Sequence, residues 1–279
     1  MVTWRTPEAR RKRRSVVGGR TLTPRERNGL AGAAIVGALG LWWLIGRLEV
    51  LSPVLLPPPG EVLQSLVTLT RDGTLPRDIG TSLLRVVQGF LLALSVALPL
   101  GVAMGMSPVL RGLLEPLIEL VRPIPPIAVI PLAMLWFGIG EFSKVFLIMY
   151  GAFFPILVNT MAGFAEVDPI HIRAARTLGA NRYEIFRDVI IRSAFPYMVV
   201  GARLGMGMAF IVLVAAELIA SSAGLGYLIN DARYRFRTDQ ILLGMGCIGV
   251  LGYMLNKLLL EADRRIVRWK RGSERAVAA

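Results

Sequence analysis

Long apolar segments alternate with short polar ones along most of the chain, a pattern typical of a protein that crosses a membrane several times. The first apolar run, Gly29–Gly46, has 18 residues and no charge. As a helix it would be about 27 Å long, close to the thickness of a bilayer core. The pattern predicts an all-α integral membrane protein with a transmembrane domain over residues 29–260. We predict six spans, in residues 29–46, 86–106, 113–140, 145–165, 193–220 and 241–260.

Prolines interrupt the third of these segments, residues 113–140. Pro123, Pro125 and Pro126 lie so close together that an unbroken α-helix cannot contain them. Irregular backbone at membrane depth is tolerated only where protein or a water-filled cavity satisfies its polar groups. We therefore expect a bent or broken span in the interior of the protein. The alternative is a loop before an ordinary span that begins at Pro126.

Small residues recur on one side of the fifth segment. Gly201, Gly205 and Ala209 are spaced four residues apart, which places them on the same face of a helix. Such a face lets a neighbouring helix approach closely. The same segment contains Arg203 near one end and Glu217 near the other.

The stretch over residues 164–196 is polar and basic, and it lies between two apolar segments. Asp168 is a good N-cap for a helix that should run to about residue 177. Gly179 then supplies the left-handed conformation that often ends a helix. Asn181 with Glu184 has the spacing of a capping box, which indicates the start of a second short helix. We predict two short helices joined by a tight glycine turn.

This stretch resembles the EAA loop of the permeases of binding-protein-dependent ABC importers. Ala174, Ala175 and Gly179 match that loop in their spacing, whereas Arg173 stands where the family has Glu. Residues 191–192, Ile and Arg, stand where Leu-Pro is usual. The resemblance extends over roughly residues 50–260. Two further segments, residues 122–148 and 213–229, are similar to the taurine and aliphatic-sulfonate branch, and nitrate and bicarbonate permeases resemble the chain less closely.

The resemblance implies a six-span permease fold whose cytoplasmic loop, residues 164–196, couples to an ATPase subunit. It implies two copies of that ATPase, which would use ATP and Mg²⁺, and an extracytoplasmic solute-binding protein. This chain itself would bind no cofactor. Six helices are few for a complete pathway, so we expect a second copy of the chain. The expected coupling residues are Arg173, Ala174, Ala175, Gly179, Ala180 and Asn181. The implied solute is a small organic anion such as taurine or an alkanesulfonate.

Charge is distributed unevenly along the chain, whose formal net charge is +13. The predicted topology places 22 Lys and Arg on the side of both tails and of the loop, and eight on the other side. The positive-inside rule then puts both termini in the cytoplasm, as basic tails over residues 1–28 and 261–279 of a multi-pass protein of the bacterial inner membrane. The excess is explained by orientation and membrane lipid, so no nucleic acid is expected. A helix-turn-helix DNA reader is the alternative for the basic loop.

The sequence lacks the motifs that nucleotide hydrolysis and metal binding require. The sequence has no P-loop, and it has one histidine, His171, and one cysteine, Cys247. We therefore expect no catalytic residue and no metal site, and we expect energy for uphill transport to enter from a partner. A secondary carrier or channel is the alternative function, and a membrane-anchored enzyme is disfavoured.

Arg122 and Glu217 are charged residues inside the third and fifth predicted spans. Arg122 precedes the proline cluster, and with Pro125, Pro126 and Glu217 it is a candidate for the translocation path. Charged residues at membrane depth are costly and often functional. Arg122 could attract an anionic solute; alternatively it extends to the membrane surface or pairs with Glu119 or Glu217. In a secondary carrier, Glu217 would be the candidate for coupling.

Overall fold

A computed structural model describes residues 24–48, 52 and 54–266, and within these ranges it contains helices and no strand. The chain divides into two units, residues 1–59 and 60–279. The helices are α1 (Pro24–Arg47), α2 (Pro59–Arg71), α3 (Thr74–Met106), α4 (Pro108–Val121), α5 (Pro126–Phe137), α6 (Glu141–Ala165), α7 (Pro169–Thr177), α8 (Arg182–Glu184), α9 (Arg192–Ala220), α10 (Leu225–Tyr234) and α11 (Thr238–Ile266). A π-helical segment, Ile185–Ile191, connects α8 to α9.

The first unit contains α1, which includes the first predicted span. This helix begins at Pro24, so the last five residues of the predicted basic tail are helical. The other residues of that tail, and the C-terminal tail beyond residue 266, lie outside the described residues. The apolar part of α1, Gly32–Arg47, is shorter than the spans of the second unit. Trp42 Nε1 donates a hydrogen bond to the Pro57 carbonyl at 3.1 Å and so holds the following proline-rich segment.

Within the described residues, four helical runs of the second unit are long and apolar enough to cross a membrane: Thr74–Met106, Glu141–Ala165, Arg182–Ile219 and Thr238–Glu261. They include the predicted second, fourth, fifth and sixth spans. The second predicted span began at Val86, whereas α3 begins twelve residues earlier, at Thr74. The prediction started too late because the first three turns of α3 carry polar side chains, which lower the hydropathy there. The segment between the fifth and sixth predicted spans likewise contains a helix, α10.

The break predicted at the proline cluster is present. Helices α4 and α5 meet at an angle of 98°, and together they are apolar enough to form a bent span or a re-entrant pair. Pro125 and Pro126 occupy the cap and the first position of α5, where a missing N–H costs nothing. Tyr150 Oη donates to the carbonyls of Val121 and Ile124, each at 3.2 Å, and satisfies two groups that the break exposes. The alternative of a loop before an ordinary span is wrong, since helix α4 precedes the break.

Helix α6 packs against both α3 and α9 and forms the middle of the second unit. The main hydrophobic core consists of side chains from these three helices and from α5. The predicted small-residue face of α9 meets α6: a Cβ added at Gly205 would lie 2.7 Å from Ile156 Cγ1, and one at Gly201 would lie 2.8 Å from Asn159 Cβ. Only glycine permits this approach of the two helices.

Candidate coupling loop and charged clusters

Helix α7 forms the first half of the candidate loop, with the limits that its sequence predicts. Asp168 Oδ1 accepts a hydrogen bond from the Ile170 N–H at 2.8 Å and so caps the helix. The helix ends before Gly179, whose φ of 86° lies in the left-handed region that disfavours any residue with a Cβ. None of the residues of α7 is buried. The structure therefore presents α7 as a short helix whose sides are open to a partner.

The second half of the loop begins with the predicted capping box. Asn181 Oδ1 accepts from the Glu184 N–H at 2.9 Å, and Glu184 Oε2 accepts from the Asn181 N–H at 2.8 Å. The prediction of a separate second short helix is wrong, however, because the helical backbone continues through Ile185–Ile191 into α9. Ile185, the first residue of the π-helical segment, is buried. A displacement of the loop would thus act directly on the axis of α9.

The predicted coupling residues lie together around the glycine turn and are accessible. Arg173, Ala174, Gly179 and Asn181 are exposed, and Ala175 and Ala180 are half-buried. Large apolar side chains stand exposed beside them on the same loop: Ile170, Leu178 and Tyr183. Exposed apolar side chains close to small and basic ones are typical of a protein-binding surface.

At the opposite end of α6 and α9 lies a charged cluster centred on the buried Arg85 of α3. The guanidinium of Arg85 donates from Nε and Nη2 to the two carboxylate oxygens of Glu141, each at 2.6 Å. Its Nη1 donates to Glu217 Oε1 at 2.7 Å and to the Ala223 carbonyl at 2.7 Å. Lys144 adds a hydrogen bond to Glu141 at 3.0 Å. The cluster ties α3, α6 and α9 together with the segment after α9.

Glu217 has further partners that fix its carboxylate. Ser82 Oγ lies 2.8 Å from both oxygens, and the Gly226 N–H donates at 2.8 Å. A Cβ added at Gly224, whose φ is 114°, would overlap the same carboxylate. The Gly224 N–H donates to Asp78 at 2.8 Å, so α3 also holds the turn into α10. Glu217 is 1% exposed, and its charge is matched by Arg85.

The sequence reasoning missed the role of Arg85, which it counted as a residue outside the spans. A signal was available, because Asp78, Ser82 and Arg85 follow one another at i+4 and i+3 and so share one face of a helix. That spacing indicates a polar stripe, although it does not identify Glu217 as the partner.

A second polar contact connects α2 to the start of α11. Asp239 accepts hydrogen bonds from Ser65 of α2 and, at 2.8 Å, from Nη2 of Arg237. The hydrogen bond with Asp239 raises the pKa of the Arg237 guanidinium, which lies in the loop before α11. The short α2 is thereby attached to the same end of the bundle as the Arg85 cluster.

The pathway candidates are separated in the structure. Glu217 pairs with Arg85, so a pair between Glu217 and Arg122 is wrong. Arg122 lies exposed at the end of α4, and among the described residues no acid forms an ion pair with it. It lines a groove of about 580 Å³ together with Pro126 and side chains of α6 and α9. Pro125 is exposed at the break beside this groove.

Comparisons with known proteins agree with this architecture. Residues 96–268 match the family model described as the binding-protein-dependent transport system inner membrane component. The chain is 40% identical over 236 residues to the taurine transport system permease protein TauC of Escherichia coli, a match that covers 83% of this chain and 86% of that protein. It is 35% identical over 236 residues to the putative aliphatic sulfonates transport permease protein SsuC of Bacillus subtilis, with coverage of 85% and 86%.

Two further comparisons extend the similarity. The chain is 29% identical over 221 residues to the nitrate import permease protein NrtB of a Synechocystis strain, covering 76% of this chain and 80% of that protein. Its fold is similar to a chain of the MetNI methionine ABC transporter in an inward facing conformation. The TM-score is 0.54 at 21% identity, and the match covers 70% of this chain and 95% of the solved one. This likeness supports the permease fold.

Proposed function

Because the chain belongs to the inner membrane components of binding-protein-dependent transport systems, we propose that it is the permease subunit of an ATP-driven importer of a small organic anion. The sequence contains no P-loop, so ATP hydrolysis would take place in a separate subunit. The observation that carries the proposal is the exposed loop formed by α7 and α8, because α8 continues as a helix without a break into α9.

The loop is the proposed contact with that ATPase, which would bind ATP and Mg²⁺. Helix α7 is exposed, and Ala174 leaves room for a close approach beside Arg173. Leu178, at the end of α7, is 87% exposed and offers apolar area to a partner. The helical run from Arg182 to Ala220 is more than about 50 Å long at 1.5 Å per residue. A push on its first turn would therefore be carried across the membrane.

The other end of this helical run is held by the ion pair of Arg85 with Glu217, and Arg85 also pairs with Glu141 of α6. Helices α3, α6 and α9 would therefore move as one body. We propose that the motion takes place between two copies of the chain, each bound to one ATPase, with a solute-binding protein on the outer side. The excess of Lys and Arg on the side of the loop supports a cytoplasmic loop and cytoplasmic termini in the inner membrane.

The solute class is proposed from two observations. Relatives that share 40% and 35% of their aligned residues with this chain are described as permeases for taurine and for aliphatic sulfonates. The groove beside the proline break presents the guanidinium of Arg122 among apolar walls. A guanidinium binds planar or tetrahedral oxyanions through two parallel hydrogen bonds. This environment suits a short aliphatic chain that ends in a sulfonate.

A secondary carrier is the competing function, and it would need a side chain that takes up and releases a coupling proton. Glu217 is the candidate from the sequence, but its carboxylate is held by Arg85, Ser82 and the Gly226 N–H. These contacts give Glu217 the role of a structural anchor, and so they support the ATP-driven system.

The test is uptake by the assembled complex in proteoliposomes that contain the chain, the candidate ATPase and the candidate binding protein from neighbouring genes. We expect radiolabelled taurine or ethanesulfonate to accumulate only when ATP is present on the side of the ATPase. The control complex carries an ATPase with its catalytic glutamate changed to glutamine, and it should accumulate nothing. Accumulation that continues in this control, and that an uncoupler stops, would instead identify a secondary carrier.

A further inference from the structure

A second groove lies on the other side of α9, between α9 and α11, with a volume of about 530 Å³. Its lining includes Val200, Arg203, Met206, Phe210, Tyr253 and Asn256. Arg203 is the twelfth residue of α9, about 17 Å along the helix axis from Arg192. Its position is therefore well inside the helical run Arg182–Ile219, which is long and apolar enough to cross a membrane.

Arg203 is half-buried, and its Nε lacks the partner that a buried donor normally has. Its Nε is the one buried side-chain nitrogen or oxygen of the described residues that has no hydrogen-bond partner. Among those residues, none forms an ion pair with it. An unpaired guanidinium at this depth is costly, and such residues are usually retained for a function.

Arg85 provides the comparison within the same chain. Its guanidinium donates to two carboxylates, to the Ser221 hydroxyl and to the Ala223 carbonyl, so each of its nitrogens has a partner. Arg85 thus has the contacts of a structural arginine. Arg203 instead lines an open groove and has no ion-pair partner among the described residues, as expected of a ligand-binding arginine.

The two grooves are adjacent. Leu204 and Gly207 line both of them, so the exposed face of α9 separates the groove of Arg122 from that of Arg203. Leu204 is 54% exposed, and Gly207 has open space where a Cβ would stand. The two arginines therefore flank one accessible surface, and both lack an ion-pair partner among the described residues.

We propose that Arg203 is an anion-binding residue of the solute route, and that it acts with Arg122 on the two sides of this face of α9. The ligand is a small organic anion with a sulfonate or carboxylate head, whose oxygens accept from the guanidinium and whose short chain lies against Val200 and Phe210. Two separated cations let the anion pass from one to the other without a single deep binding site. The proposal rests on the proposed function and adds to it a residue and a step along the route.

The experiment compares Arg203→Gln and Arg203→Lys with Arg71→Gln, an exposed arginine at the end of α2, in the complete complex in proteoliposomes. Uptake of ethanesulfonate and ATP hydrolysis stimulated by the loaded binding protein are measured in parallel. For Arg203→Gln we expect uptake to fall by about tenfold or more, as for the loss of a hydrogen bond to a charged group. The stimulated hydrolysis should remain, Arg203→Lys should keep part of the uptake, and Arg71→Gln should behave as the unchanged complex.

Three results would overturn the proposal. Unchanged uptake by Arg203→Gln would show that the anion does not depend on this residue. If Arg203→Gln and Arg203→Lys both lose stimulated ATP hydrolysis together with uptake, Arg203 is needed for assembly of the complex. The uptake of Arg203→Gln and of the unchanged complex could also differ in vesicles with phosphatidylglycerol but not in phosphatidylcholine alone. That result would assign the groove to a lipid headgroup. If the unchanged complex itself fails to import with ATP, the proposed function fails, and that outcome is distinct from all three.

Discussion

The guanidinium of Arg85 lies 2.7 Å from the carboxylate of Glu217, and the two residues are 2% and 1% exposed. They come from α3 and α9, which are 132 residues apart at this pair. Glu141 at the start of α6 completes the cluster from a third helix. One charge network, buried at Arg85 and Glu217 and exposed at Glu141, thus joins the three central helices at the end opposite to the candidate coupling loop.

We expect Glu217→Ala to destabilise the protein by about 1–3 kcal/mol, because Nη1 of the buried Arg85 and the Gly226 N–H lose their carboxylate acceptor while Glu141 stays paired with Arg85. Thermal unfolding of the purified chain in detergent would measure the loss. The double variant Arg85→Met with Glu217→Leu should be more stable than Glu217→Ala, since it removes the buried Arg85 donors together with their acceptor and fills the space with apolar side chains. The control is Glu115→Gln, which removes the exposed pair with Arg111 and should change the unfolding temperature little. Equal effects of the two glutamate substitutions would contradict the role of burial.

Gly205→Ala should loosen the contact between α6 and α9. The added Cβ would lie 2.7 Å from Ile156 Cγ1 and 3.0 Å from the Ala152 carbonyl, so one helix must move. Overpacking of this kind costs about 1–3 kcal/mol, and thermal unfolding would detect it. Gly249→Ala on α11 is the matched control, because a Cβ there meets nothing within 4 Å. It should leave the unfolding temperature the same or slightly higher.

Gly179→Ala should weaken coupling to the ATPase. At φ 86° a Cβ strains the turn by roughly 1–2 kcal/mol, and α7 would then leave its position beside α8. Gly179→Asn should do less harm, because Asn adopts the left-handed region more readily than Ala. The measurement is co-purification of the ATPase and ATP-dependent uptake, with Gly60→Ala, which meets open space, as the control. Full coupling in Gly179→Ala would show that the turn is not required.

Arg122→Gln should reduce anion uptake by about tenfold while stimulated ATP hydrolysis continues, because the variant removes a charged contact with the solute. The Michaelis constant for ethanesulfonate uptake would show whether the loss occurs at a contact between Arg122 and the solute along its route. Arg71→Gln provides the control for a change of net charge. If uptake by Arg122→Gln equals that of the unchanged complex, Arg122 serves only to place the end of α4 at the membrane surface.

The orientation can be tested by labelling a single cysteine in intact cells, in a Cys247→Ser background. We expect Asn181→Cys in the loop to be protected from a membrane-impermeant maleimide. Arg235→Cys lies after α10, at the other end of the bundle, and its side chain is exposed, so it should react. Permeabilised cells provide the control, since both positions should then react. The reverse pattern would contradict the charge-based topology.

Local sequence determined the features that depend on neighbouring residues. The cap at Asp168, the turn at Gly179 and the capping box of Asn181 and Glu184 were predicted and are present. The break beside Pro125 was predicted for the same reason, since a proline restricts its own backbone wherever it occurs. The predicted permease family and fold are confirmed by the family match and by the solved neighbour.

Tertiary structure alone decided the features that join distant segments. Hydropathy placed the start of the second span at Val86, because it cannot show that Arg85 has a partner in α9 that compensates for its burial. It also separated the loop from the fifth span, whereas the helical backbone continues from Arg182 through Ile191 into α9. The sequence placed Arg122 and Arg203 in spans without showing that both face the surface containing Leu204 and Gly207. Helical backbone rules act over a few residues, whereas charge pairing and groove formation depend on which helices pack side by side.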